Sequence, residues 1–375
     1  SNTPETPRAY CAPTLPDLLR KRGYRTIHVG KAHFGAVGTP GADPRNLGFE
    51  VNIAGHAGGA PGSYLAEDKY GAALAKDHVW DVPGLEKYYG TDTFLTEALT
   101  IEANREIDRA VADGKPFYLN MAHYAVHVPF APDRRFYRRY REAGLDTTEA
   151  MYAALIEGMD DSLVSILNNL DRHGIADNTV VIFISDNGGL SAHGRGGVPH
   201  THNAPLRSGK GSAYEGGIRV PMIVRWPGRV KPGGVCHVPV ITNDLFRTVL
   251  RMAGVPAKEI PRCDGRDLRP LFADPAHRAR PRALYWHYPH VWGADGPGIA
   301  PFSAIRSGPW KLIYYHADRR KELFNLESDI GETHDLSKDR PDLTRSLSLL
   351  LGRHLRSVGA QMPVERTTGK QVPWP

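Results

Sequence analysis

The chain has 375 residues, of which 41% are hydrophobic and 23% charged, with a net charge of +6 before its 17 histidines are counted. At about 150 residues per domain the length suggests more than one structural unit, and the composition is that of an ordinary soluble globular protein, not a disordered or fibrous one. No apolar run reaches the ~20 residues that span a bilayer, and the three cysteines, Cys11, Cys236 and Cys263, are too few for a disulfide scaffold.

In chain order, Thr14 to Gly23 reads as a short amphipathic helix, with Thr14 as N-cap, Leu15, Leu18 and Leu19 apolar and Gly23 at its end. Arg25 to Val29 follows as a strand. Residues 36–90 are rich in Gly, Pro, Asp and Tyr with little periodicity, which predicts a long surface excursion. Thr93 to Ala112 has a helical apolar face of Phe94, Leu95, Ala98, Ile101 and Ile107. Phe117 to Ala122 reads as a strand and Thr148 to His173 as a long helix, in which Met151, Leu155 and Met159 are core-spaced. Thr179 to Ser185 is nearly continuous apolar sequence, as expected of a strand covered on both faces. Met222 to Trp226 predicts another strand and Asn243 to Ala253 another helix.

Helices alternating with apolar strands argue for an α/β fold with a largely parallel central sheet. After Pro281 the pattern changes to short strands over Ala283–Tyr288, Ser303–Arg306, Trp310–Tyr315 and Glu322–Asn325, closed by a helix over Asp342–Val358. This predicts a catalytic domain over 1–280 and a C-terminal antiparallel subdomain over 281–375. Arg134, Arg135, Arg138, Arg139 and Arg141 form a basic run with Phe136, Tyr137 and Tyr140. We read it as a solvated helix face and expect no nucleic-acid partner.

The residues able to carry chemistry collect at strand ends, where α/β sheets bind ligands. Lys210 stands between Gly209 and Gly211 in a turn-rich loop before the strand at Met222. Glycines let the backbone approach a ligand, and a lysine there is a mobile point charge suited to an oxyanion. Asp186 and Asn187 follow an apolar strand and turn into Gly188-Gly189. A carboxylate beside an amide oxygen suits Ca²⁺ or Mg²⁺ better than zinc. Lys31 and His33 follow a third strand, and His127 a fourth; histidine can give a proton to a leaving oxygen. Together these residues describe a site for an anionic ester beside a hard cation.

Four segments carry a family resemblance that covers nearly the whole chain. TLPDLLRKRGYRTIHVGKAHFG, ISDNGG, PLRSGKGSAYEGGIRVPMIVRWPG, and FSAIRSGPWKLIYY with ELFNLESDIGETHDL resemble, in order, the lysine–histidine block, the second metal block, the catalytic-lysine block and the C-terminal subdomain of the type I sulfatases, within the alkaline-phosphatase-like superfamily. The resemblance implies hydrolysis of sulfate monoesters with calcium and a formylglycine nucleophile. It implies Asp186 and Asn187 as calcium ligands, and Lys31 and Lys210 as holders of the sulfate oxygens. It implies His33 in release of sulfate and His127, with Lys210, in assisting the leaving alcohol. His202 and His287 fall where substrate contacts are plausible. A sulfated carbohydrate is the expected substrate, with aryl sulfates as artificial ones, and a periplasmic or secreted location is typical of the family.

One departure stands against these matches. Formylglycine is made from a C/S-x-P-x-R motif, which the 375 residues lack; Cys11-Ala12-Pro13-Thr14-Leu15 has leucine in place of the arginine. The family's first metal block, with its aspartate pair, is also missing. We therefore expect this sequence, which starts at Ser1, to be an N-terminally incomplete part of a sulfatase, marginally stable and inactive by itself. The alternatives are a related phosphoester or phosphonate hydrolase, or a non-catalytic binder of sulfated glycans.

Overall fold

The structure is a computed structural model that describes residues 13–72, 78–190, 202–292 and 295–375. Cys11 lies outside these; Cys236 and Cys263 are free thiols. Two compact units emerge, one comprising residues 1–179 with 226–275 and the other residues 180–225 with 276–375.

In the first unit, helix α1 (Leu15–Arg20) is capped by the Thr14 hydroxyl, which accepts from the Asp17 amide. Strand β1 (Arg25–Gly30) lies between β2 (Val51–Ile53) and β3 (Phe117–Ala122), parallel to both, with Ile27 opposite Val51 and Leu119. Strand alternation decides what covers each face. Ile27 and Val29, with Leu119 and Met121, pack on Leu95, Leu99 and Ala103 of α2 (Leu95–Ala112) and Leu155 of α4 (Thr147–Arg172). Tyr118 points the other way, to Leu19 of α1 and Leu250 of α6 (Asn243–Met252). Helices on both faces of a parallel sheet are the predicted α/β layering.

The basic run forms the short helix α3 (Tyr137–Glu142) and its approach. Four of its five arginines have acidic partners, Arg134 with Glu67, Arg135 with Asp133 and Asp161, Arg138 with Glu142, and Arg139 with Glu157, while Arg141 donates to the Leu145 carbonyl.

The excursion over 36–90 differs from expectation. It supplies β2, and Tyr64, Tyr70, Val82 and Leu85 are fully buried in the core of this unit. Tyrosine can enter a core when its hydroxyl finds an acceptor. Tyr64 donates to the His127 carbonyl and Tyr70 to that of Thr93, each at 2.9 Å.

In the second unit, β4 (Val181–Ile184) pairs with β5 (Met222–Arg225) antiparallel, not parallel as the sequence suggests. Ile184, the last residue of β4, faces Met222, the first of β5. A parallel return would need a crossover to the far end of the strand. Here the chain re-enters beside the end it left, through the single helical turn α5 (Glu215–Ile218). Both strands are half-buried, not covered on both faces, and Ile223 is 64% exposed.

The C-terminal sheet is antiparallel in the order β6 (Ala283–Tyr288), β7 (Phe302–Ser307), β8 (Trp310–Tyr315), β9 (Lys321–Asn325). One face, with Ile305, Leu312 and Leu323, packs on Leu347, Leu351 and Leu355 of α7 (Pro341–Ser357). The opposite face, with Ala304, Ile313, Tyr315 and Phe324, packs on Ala213 and Tyr214. The sheet therefore has a helix on one side and the loop that carries Lys210 on the other.

Candidate active site

The candidate residues divide between the two units. In the first, Lys31 and His33 leave the carboxyl end of β1 and His127 follows that of the neighbouring β3. Gly30 has φ +102°, and a Cβ there would collide with the Ala122 carbonyl, so only glycine fits. That close approach lets the Lys31 amide donate to Ala122 O at 2.8 Å. His33 is exposed and left-handed, with φ +53°, and its amide donates to the His56 carbonyl at 3.0 Å.

His56 Nδ1 lies 3.0 Å from the Tyr124 hydroxyl, which donates to Ala54 O at 2.8 Å, so Nδ1 carries the proton in that bond. His127 Nδ1 lies 2.8 Å from the Val128 carbonyl and is likewise the donor. The neutral His127 ring then has Nε2 as its basic nitrogen. Hydrogen bonds thus run from the His33 loop through His56 and Tyr124 to the segment bearing His127. Sequence reading missed His56 and Tyr124; the His56-Ala57-Gly58-Gly59 turn was their available signal.

Two further histidines here behave differently. Buried His28 has Asn120 Nδ2 at 3.0 Å from Nδ1 and Gly30 O at 3.0 Å from Nε2. Burial pushes it down to about 4, and does the same to His123. Both are neutral at ordinary pH.

In the second unit, Asp186 is exposed and Asn187 half-buried in the turn after β4. The Ser185 hydroxyl donates to Asn187 O at 2.8 Å. This turn and the Lys210 loop are tied together. The Lys210 amide donates to Gly189 O at 3.0 Å, and the Gly188 amide to Gly217 O at 3.0 Å. Asn203 clamps both sides: its Nδ2 donates to Gly189 O and Ser208 O, while its Oδ1 accepts from the Gly189 amide at 3.2 Å. Added Cβ atoms at Gly188, Gly216 and Gly217 would strike carbonyls of Gly216, Arg207 and Ser212 respectively. These glycines therefore serve close backbone packing.

The loop is anchored on the C-terminal sheet by charge. Lys311, with no exposed surface, reaches Glu215 at 2.9 Å and Glu332 at 2.8 Å. Glu332 also accepts from the Glu215 amide at 2.6 Å, and Arg207 donates to the Glu332 carbonyl at 2.7 Å. Burial pushes the Glu332 carboxyl up, against the pull of Lys311. The Arg207 guanidinium stacks 4.1 Å from the Tyr214 ring centre, and Tyr214 donates to Glu322 at 2.8 Å. Sequence reading missed this network, because no local pattern links residues about a hundred positions apart.

His202 is exposed at the start of the described part of this loop. His287 sits on β6 opposite Ser303, on the face of the sheet away from Tyr214. Its Nε2 donates to Gln361 O at 3.1 Å, so Nδ1 accepts from the Ser303 hydroxyl at 2.8 Å.

Asp186 and Asn187 offer a carboxylate and an amide oxygen, which fit a hard cation in kind. Among the described residues no group of three or more His, Cys, Asp or Glu could hold a metal. These two would form part of a calcium cage, not the whole.

A sulfatase family profile matches residues 1–255, and that of the N-sulphoglucosamine sulphohydrolase C-terminal domain matches 209–357. The chain belongs to the sulfatase family. It is 28% identical to a sulfatase of Formosa agariphila, with 91% of this chain and 68% of the relative covered. It is 33% identical to N-acetylgalactosamine-6-sulfatase of Mus musculus, covering 89% of this chain and 66% of that one. This sulfatase chain thus spans about two thirds of those relatives. The solved structure of Ps i-CgsB in complex with k-i-k-neocarrahexaose matches with a TM-score of 0.72 at 28% identity, covering 92% of this chain and 73% of that one. A phosphonate monoester hydrolase from Silicibacter pomeroyi shares the fold, with a TM-score of 0.60 at 19% identity, covering 99% and 86%. The predicted α/β fold with a C-terminal antiparallel sheet is borne out.

Proposed function

We propose that this sulfatase hydrolyses sulfate monoesters of carbohydrates. The observation that carries the reading is the joining of the Asp186–Gly189 turn to the Lys210 loop by main-chain bonds and by Asn203. The turn that carries the proposed cation ligands and the loop that carries the proposed oxyanion lysine are thereby tied together through their backbones. The names of the relatives, an N-acetylgalactosamine-6-sulfatase and a protein solved with a neocarrahexaose, support a sulfated sugar over a small aryl ester.

In this reading Lys210 and Lys31 donate to the sulfate oxygens as negative charge builds on them. His127, once Nε2 has taken up a proton, delivers it from Nε2 to the leaving alcohol, while Nδ1–H stays on the Val128 carbonyl and fixes the ring's orientation. His33 handles a proton as sulfate departs. Asp186 and Asn187 would hold calcium, which, when bound, supplies positive charge to the ester oxygens. The nucleophile expected of the family is formylglycine, and its C/S-x-P-x-R source is not among these 375 residues. His202 is offered as a substrate contact; His287 would have to leave Ser303 or Gln361 to act as one. The proposal keeps 1–280 as the catalytic domain, 281–375 as the C-terminal subdomain, and a periplasmic or secreted location.

The test is release of sulfate from galactose 6-sulfate by the full-length protein, against release of phosphate or phosphonate from matched esters. Lys210→Ala should reduce sulfate release about 100- to 1,000-fold, the cost of losing a preorganised oxyanion donor. Faster turnover of the phosphorus esters would shift the assignment to the phosphonate branch. Tight sugar-sulfate binding without turnover would leave a non-catalytic binder.

A further inference from the structure

We propose that Trp292 is an aromatic platform for the sugar ring whose sulfate Lys210 holds. The proposal rests on the reading of Lys210 given above. The described part of the connector between β6 and β7 is fastened to the Lys210 loop. Ser212 Oγ donates to Pro297 O at 2.9 Å, and the Ala213 amide donates to Gly298 O at 3.0 Å. Gly298 packs so closely on Ser212 and Tyr214 that a Cβ there would meet both side chains at 2.5–2.6 Å.

Earlier in the same connector, the indole of Trp292 lies directly against Gly211, the residue after Lys210. A Cβ on Gly211 would fall within 3.0 Å of three indole carbons, and Gly211 has φ +85°. Both facts restrict this position to glycine. The loop therefore gives up a side chain beside the lysine and receives an indole over its backbone.

An indole whose role was only to close the loop would be buried by it. Trp292 instead keeps 36% of its surface exposed, and its neighbour Val291 keeps 78%. A rigid aromatic surface that is partly wet and adjacent to an anion-binding lysine suits a ligand with one apolar face and one charged substituent. A sulfated pyranose is such a ligand: its axial C–H groups can cover the indole while the sulfate reaches the ammonium. Free sulfate has nothing to place on the ring. Trp292 thus separates recognition of the sugar from recognition of the sulfate.

The experiment measures binding of two probes, galactose 6-sulfate and inorganic sulfate, by calorimetry on the full-length protein. Wild type should prefer the sugar ester. Trp292→Ala should weaken galactose 6-sulfate about tenfold, as expected for an anchoring tryptophan, and leave inorganic sulfate within about twofold. Trp292→Phe should recover most of the loss. Equal weakening of both probes, no change with the sugar ester, or a wild type that does not prefer the sugar ester would overturn the platform. Lys210→Ala tests the underlying reading separately, since it should weaken both probes. If inorganic sulfate is unaffected by Lys210→Ala, the assignment of Lys210 fails, while the indole comparison is still read with Lys210 in place.

Discussion

The Lys31–His33 loop and the Lys210 loop are held by different forces. The first grows from the carboxyl end of a parallel strand buried between helices, and uncharged hydrogen bonds finish it: His33 N to His56 O, His56 to Tyr124, Lys31 N to Ala122 O. The second lies in the connection between β4 and β5, whose described part includes α5, and adds to its neutral bonds the Glu215–Lys311–Glu332 ions and Arg207. A rigid sheet already restricts a loop that leaves it, so neutral bonds at about 1 kcal/mol each suffice. A loop lacking that support needs partners that are costly to misplace, and buried ions provide them.

The largest effect should come from breaking the ionic anchor. Lys311→Met leaves Glu215 and Glu332 facing each other in the interior, and we expect a loss of about 3–5 kcal/mol in urea unfolding. Neutralising the carboxylates as well, with Glu215→Gln and Glu332→Gln, should recover part of it. If Lys311→Met costs no more than Tyr124→Phe in the other unit, the contrast between the two loops does not hold.

Acid should sharpen the contrast. His28 and His123, both in the first unit, have folded values near 4, below the ordinary 6.5. A group depressed in the folded state lets the unfolded chain bind the proton first. Stability is then full above about pH 6.5 and falls as pH drops from there through about 4. Glu332 has the opposite sign, because burial raises it and protonation relieves a cost. His316, pushed down to about 4 by burial, adds acid sensitivity to the second unit. Wild type should lose on the order of 2–3 kcal/mol per buried histidine between pH 7 and pH 4.5. His28→Gln should flatten that slope, and an unchanged slope would remove His28 from the account.

Much of this was legible in the sequence, for physical reasons that show in particular residues. Strand β3 and the C-terminal strands β6 and β8 have the predicted bounds, because their apolar alternation is local. The glycines beside Lys210 marked close backbone approach, and Gly211 has a positive φ of +85°. The reading failed where distant partners decide. Tyr64 and Tyr70 looked like surface residues until His127 O and Thr93 O accepted their hydroxyls. β4 read as a strand of a parallel sheet because an apolar run does not reveal the direction of its neighbour. Lys311 gave no sign of its two carboxylates, although on β8 it shares the face of Ile313 and Tyr315 that packs on the loop.

A smaller effect, of about 1–3 kcal/mol, is expected of Gly216→Ala. Its Cβ would strike the Arg207 and Ser208 carbonyls, which are rigid backbone. The loop should yield before the sheet does. Hydrogen exchange should therefore quicken over residues 205–218 and stay unchanged in β7 and β8. Uniform loosening of both would mean that the loop and the sheet unfold as one body.

The smallest effect should be Tyr124→Phe, at about 1 kcal/mol. The substitution removes the hydroxyl that donates to Ala54 O and accepts from His56 Nδ1, and it keeps the buried ring. Ala54 O loses one partner, and His56 Nδ1 loses its acceptor. The backbone bond from His33 to His56 O survives, because it does not involve the hydroxyl. The His33 loop should therefore keep its position while the His56 ring becomes free to turn. NMR of the imidazoles should show His56 broadened or shifted and His28, held by Asn120 and Gly30, unmoved. If His28 moves as well, the neutral bonds of this unit act as one network, and the distinction from the ion-held loop is one of strength, not of kind.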